Sequence, residues 1–237
     1  AKGAGIEMQT LKSLKAIVSA VCAALLAFGA TACGLGTAGG YSPSGTLSGP
    51  IEGVDLKGAE VAVGSKNFTE QIILGKMAVI LFKSAGADVE DLTNIPGSNS
   101  AREAMLKGDL NFQWEYTGTA WISYLGHDDP ITNEQEQYGA VLEADRKNGL
   151  EWLPPAPMNN TYGFAIPRAK AEKLGISKLS DLARLPASER TFCVESEFAN
   201  RNDGFQPMLK HYNIPPASKG NVSTLDTGAI YQATADG

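Results

Sequence analysis

From position 57 onward, the apolar positions switch repeatedly between strand and helix spacing. Residues 60–63 (EVAV) form a short apolar run of strand type. A polar turn over 64–70 follows, with Asn67 and Glu70 spaced as a capping box. Ile72, Ile73, Met77, Ile80 and Leu81 then recur at helical spacing as far as Gly86. Residues 88–95 predict a second strand, and a helix capped by Ser100 with Glu103 runs to Gly108. Residues 111–121 (NFQWEYTGTAW) enter as an alternating strand, turn at Gly118 and restart as a helix. A charged amphipathic helix over 134–147 closes at Asn148 and Gly149. This order predicts a mainly parallel sheet with helices on its faces.

Residues 153–157 (LPPAP) resist both helix and central strand, and mark an extended crossing. Beyond it the pattern restarts with a strand at 162–166 and a helix at 168–174 closed by Gly175. A short helix at 179–185, a strand at 191–194, a helix at 203–212 and a strand at 222–225 follow, and Thr227 caps a last helix. The fold class is therefore α/β, with two lobes, 57–157 and 158–237, and a ligand cleft between them. The chain stops just after its last helix, with no segment returning to complete the first lobe. It reads as C-terminally truncated.

The N-terminal part follows a different logic. Residues 8–15 are basic, 16–29 apolar and 30–32 small (ATA), the layout of a signal peptide over 1–32. Residues 1–7 precede Met8 as possible extra sequence. Cys33 directly after the cleavage pattern resembles a bacterial lipobox and is the candidate lipidation site. Ala30 stands where lipoboxes usually carry Leu, so plain secretory cleavage at Ala32 is the alternative. Residues 33–56, rich in Gly, Ser, Thr and Pro, read as a flexible tether.

Charge narrows the partners. The chain carries a net −6, and without Lys2, Lys12, Lys15 and Glu7 the body from Cys33 onward stands at −8. An acidic body argues against nucleic acid. Of three cysteines only Cys193 remains in the body, so no intramolecular disulfide is available, and it reads as a buried small apolar residue. His127 and His211 are far apart and follow no metal pattern. No cofactor is expected.

The candidate chemistry lies at 116–119. A strand end beside a helix start places Tyr116, Thr117 and Thr119 where open α/β sheets bind ligands. Free backbone N–H groups there suit an anion, and aromatic faces suit a cation. The alternative is that these aromatics simply pack into a core. Lys66, in the loop after the first strand, could attract an anion or be a solvated surface lysine.

Three stretches, 61–71 (VAVGSKNFTEQ), 114–121 (WEYTGTAW) and 159–165 (NNTYGFA), resemble the binding proteins of osmoprotectant ABC transporters. The likeness runs from about Glu60 to the end. It implies the type II periplasmic-binding-protein fold, and a quaternary ammonium ligand such as glycine betaine or choline. It also implies a membrane permease as partner and an exported, lipid-anchored protein at the outer face of the cytoplasmic membrane. By position, Tyr116 and Tyr162 match cage tyrosines for the ammonium group. Lys66, Thr119 and Arg201 match the carboxylate side, Arg201 within 197–204 (EFANRNDG). Tyr231 matches no cage position and reads as helix packing. Two other classes stand beside this one. One is a ligand-sensing module of the same fold; the other is an extracytoplasmic enzyme using Glu115 and Lys66 as acid and base. No nucleophile elbow or metal set supports the enzyme.

Overall fold

The computed structural model describes residues 41–237. The signal segment and Cys33 lie outside the described residues. The chain is built on β1 (Glu60–Lys66), α1 (Thr69–Ser84), β2 (Asp88–Ile95) and α2 (Ser98–Lys107). Next comes α3, a turn at Thr117–Thr119 that continues as a π-helix over Ala120–Tyr124, and then α4 (Glu134–Arg146). The second half holds α5 (Arg168–Leu174), β3 (Phe192–Val194), α6 (Ser196–Asn200), α7 (Phe205–His211), β4 (Val222–Thr224) and α8 (Thr227–Asp236). The predicted helix at 179–185 is a 3-10 turn over Leu179–Arg184.

Both sheets are parallel pairs. β1 pairs with β2 from Glu60 opposite Asp88 to Lys66 opposite Ile95, with an irregularity between Gly64 and Lys66. β3 pairs with β4 from Phe192 opposite Val222 to Val194 opposite Thr224. Helix α1 covers β1 and β2 at close range because Gly75 has no side chain. A Cβ there would stand 2.7 Å from Thr93 Cγ2 and 2.9 Å from Ser65 Cβ. Val63, Ala78 and Val79 form the core beneath, with Phe82 and Phe112 packed against them. In the second half the core is Phe192, Val194, Phe198, Phe205, Leu209 and Ile214.

Several expectations change. β1 continues through Lys66, so that residue ends a strand and is buried, not in a solvated loop. The capping box at Asn67 does not form: Phe68 takes the N-cap position of α1 without a side-chain bond. The Asn67 carboxamide oxygen instead accepts from the Gly97 amide, and Glu70 accepts from Tyr116. Helix α2 likewise starts before Ser100, behind Gly97 at φ 78°. The strand expected from residue 111 is a single bridge between Phe112 and Val63. The chain then leaves the sheet because side chains take over its bonding. The Trp114 indole donates to the Leu74 carbonyl (3.1 Å), and the Tyr116 amide donates to the Glu115 carboxylate (2.8 Å).

The strand expected at 162–166 is absent too. No neighbouring strand meets it, and Tyr162 and Phe164 turn instead onto the Phe198 ring at 4.5 and 5.8 Å. Cys193 is half-buried, and Tyr231 is 72% exposed, so the latter packs against little. Residues 41–56, read as part of a tether, make bonds to the first half: the Gly45 amide reaches Ser84 Oγ (2.8 Å) and the Leu56 amide the Ala85 carbonyl (2.7 Å).

Candidate functional site

At the end of β1 the chain buries a cation. Lys66 is 1% exposed and donates to Glu115 Oε1. Its ammonium lies 5.0 Å from the centre of the Tyr116 ring, 5.9 Å from Phe68 and 6.0 Å from Tyr124. Three aromatic rings therefore surround one ammonium group, the arrangement that ring quadrupoles favour. Beneath it, Glu115 is nearly buried and accepts three donors: Lys66, the Tyr116 amide and the Tyr124 hydroxyl (2.8 Å).

The tyrosines here are held as neutral phenols. Burial, and then the Glu70 carboxylate that accepts its hydroxyl, push the Tyr116 pKa far above the ordinary value; Gln71 and Asn160 oppose this. Burial and then Glu115 do the same to Tyr124. Behind Tyr124 stands the Arg102 guanidinium, 5.1 Å from the ring centre. Arg102 is tied in turn to the wholly buried Asp145 of α4. This second ion pair fixes α2, α3 and α4 behind the aromatic group.

A second group forms at the end of α6, where Arg201 takes the C-cap position. The Arg201 guanidinium makes a two-pronged pair with Asp203, at 2.7 and 2.9 Å. Its third arm donates to Thr119 Oγ1 at 3.1 Å. Burial works against the charge, but Asp203 outweighs it and the Arg201 pKa is raised. The Tyr162 ring lies 5.6 Å from the Arg201 guanidinium carbon and stacks on Phe198. Although half of Tyr162 is exposed, desolvation and then Glu197 push its phenol up to about 12.

Two of the polar side-chain links between the residues before and after the crossing at 153–157 lie here. One is Arg201 to Thr119. The other is Glu197, whose carboxylate accepts from the Ser98 hydroxyl (2.6 and 2.8 Å) and the Ser98 amide (3.3 Å) at the start of α2. A carboxylate at a helix start meets unpaired N–H groups and the positive end of the dipole. A cavity of about 440 Å³ opens beside this link, lined by Ser98, Asn99, Ile122, Glu197, Asn200 and Arg201 among others.

The five predicted residues in the described part thus fall into two clusters. Lys66 and Tyr116 meet in the first; Thr119, Arg201 and Tyr162 meet in the second. Among the described residues no ring contact joins Tyr116 to Tyr162. Phe112 and Trp114 follow the core alternative, edge to face with each other at 5.9 Å and with Phe112 against Phe82. Sequence reasoning missed Phe68, Tyr124, Ser98 and Glu197. It had Glu115 only as an acid or base, yet Glu115 accepts three donors and holds a lysine. Its one sequence signal is its place beside Tyr116 in WEYTGTAW.

Comparison with known proteins places the chain. The family described as the substrate binding domain of ABC-type glycine betaine transport systems matches residues 59–237. A glycine-betaine-binding protein of Pseudomonas aeruginosa is 38% identical over 179 residues, covering 72% of this chain and 57% of that protein. The glycine betaine-binding protein YehZ of Escherichia coli is 33% identical over 158 residues, covering 65% of this chain and 52% of its own length. This chain therefore spans a little over half the length of these relatives. The crystal structure of a glycine betaine/carnitine/choline ABC transporter superposes with TM-score 0.54 at 23% identity, over 74% of this chain and 65% of that one. The fold is the two-lobed α/β fold of periplasmic binding proteins, as expected.

Proposed function

Because the chain belongs to the family of substrate-binding domains of ABC-type glycine betaine transport systems, we propose that it captures a quaternary ammonium solute outside the cytoplasm and delivers it to a membrane permease. The observation that carries this reading is the ring of Tyr116, Phe68 and Tyr124 around a buried ammonium group. A site that already holds one cation by ring faces has the chemistry to hold another. A trimethylammonium group has no N–H to donate, so ring faces serve it better than hydrogen-bond acceptors do. Tyr116 and Tyr162 are the proposed cage residues, and both stay uncharged at neutral pH. Arg201, Thr119 and Lys66 are the proposed contacts for a carboxylate, held by charge-assisted bonds.

Ligand that touches both clusters favours the form in which they face each other. The same proposal includes export through residues 1–32 and acylation of Cys33. Labelling with a radioactive fatty acid, abolished by Cys33→Ser, tests that part separately.

Calorimetric titration with glycine betaine, choline and carnitine tests the central claim. At least one should bind, and Tyr116→Ala should weaken it by about 2- to 30-fold, the worth of one desolvated ring. If none of the three binds to the folded wild-type protein, the proposal fails.

A further inference from the structure

The partner chosen by Lys66 bears on which ligand the site takes. Its ammonium stands among ring faces and, among the described residues, donates to Glu115. Glu115 is itself fixed by the Tyr116 amide and the Tyr124 hydroxyl, each at 2.8 Å. The pair is buried on both sides, with side chains 1% and 8% exposed. Water therefore screens it little, and the charge of Glu115 is felt strongly by anything near Lys66. Arg102 faces the same network across Tyr124, but its own charge is taken up by Asp145.

We propose that Glu115 is a specificity-determining residue, which acts by neutralising Lys66. This rests on the preceding reading of a quaternary ammonium site. With Glu115 in place, the lysine among the proposed carboxylate contacts is a shared one. The pairing also spares a purely cationic ligand the repulsion of an unpaired lysine. The ligand class favoured is thus the quaternary ammonium alcohol as well as the betaine, with Glu115 setting the ratio.

The test is the ratio of affinities for choline and glycine betaine, measured by calorimetry at neutral pH in wild type, Glu115→Gln and Lys66→Gln. Glu115→Gln frees Lys66, and should shift the ratio toward betaine by about tenfold or more. Lys66→Gln leaves an anion beside the rings, and should shift it toward choline by a similar factor. A purely structural role would weaken both ligands alike in either variant, and that result overturns the proposal. If Glu115→Gln does not fold, Lys66→Gln alone decides: an unmoved ratio overturns the proposal, and a shift toward choline supports it. Failure of wild type to bind either ligand would instead remove the quaternary ammonium reading beneath it.

Discussion

Asp145 shows how much one side chain can organise. It accepts from Arg102 (2.8 Å on one arm), from the Trp152 indole (2.7 Å) and from Asn148 (3.0 Å). Burial alone would raise its pKa, but these donors outweigh burial and hold it below the ordinary carboxylate value. A group with a lowered folded pKa adds stability above its unfolded value, about 3.9, which is lost as pH falls through the folded value. Acid unfolding followed by circular dichroism should therefore steepen below about pH 4. In Asp145→Asn that acid dependence should shrink. The variant should also lose about 3–5 kcal/mol at neutral pH, because Arg102 would be left buried without its charge partner. Sequence spacing offered no route to this pair, since Arg102 and Asp145 stand 43 residues apart on different helices. Lys66 and Glu115 were visible together only as an acid and a base; that they neutralise each other across 49 residues was not. Residue types are written along the chain, whereas pairings depend on packing.

Elements were more legible where the spacing was long and regular. α1, β2 and α4 stand close to where the apolar pattern placed them. The short segments fared worse, because a tertiary contact outweighs a few residues of propensity. At 113–116, side-chain acceptors replace the sheet ladder; at 162–166, two aromatic rings find Phe198 before any strand does. Glycines set two of the fits. Gly75→Ala should destabilise the protein by about 1–3 kcal/mol in urea unfolding. Alanine is the better helix former by about 1 kcal/mol, but its methyl would strike Thr93 and Ser65. Gly204→Ala would place Cβ 2.0 Å from the Phe198 carbonyl oxygen and force the Arg201 turn to move. Ligand affinity should fall more in this variant than thermal stability does, which titration and calorimetric melting together would reveal.

On the scale of the whole molecule, the two halves meet through polar bonds in the candidate cleft. Glu197 to Ser98 and Arg201 to Thr119 are two side-chain links there among the described residues. Neither link involves a large apolar patch. Glu197→Ala should loosen the arrangement without unfolding either core. Small-angle scattering would then give a larger radius of gyration, while the melting temperature changes by only a few degrees. An unchanged radius would mean that Glu197 does not hold the halves together. The parallel pairing of the strands was readable from the order of elements. The cross-links were not, because Glu197 and Ser98 lie 99 positions apart and neither belongs to a periodic stripe.

Tyr162 rides on a stretch that belongs to no sheet or helix, with its ring resting on the surface of the second core. A substitution at Tyr162 breaks no ladder bond, whereas Phe164 on the same stretch packs edge to face on the core rings Phe192 and Phe198. If Tyr162 lines the ligand site as proposed, selection can retune ligand preference at this position, while the scaffold that presents it stays the same. New preferences would then arise by drift at the rim of the site.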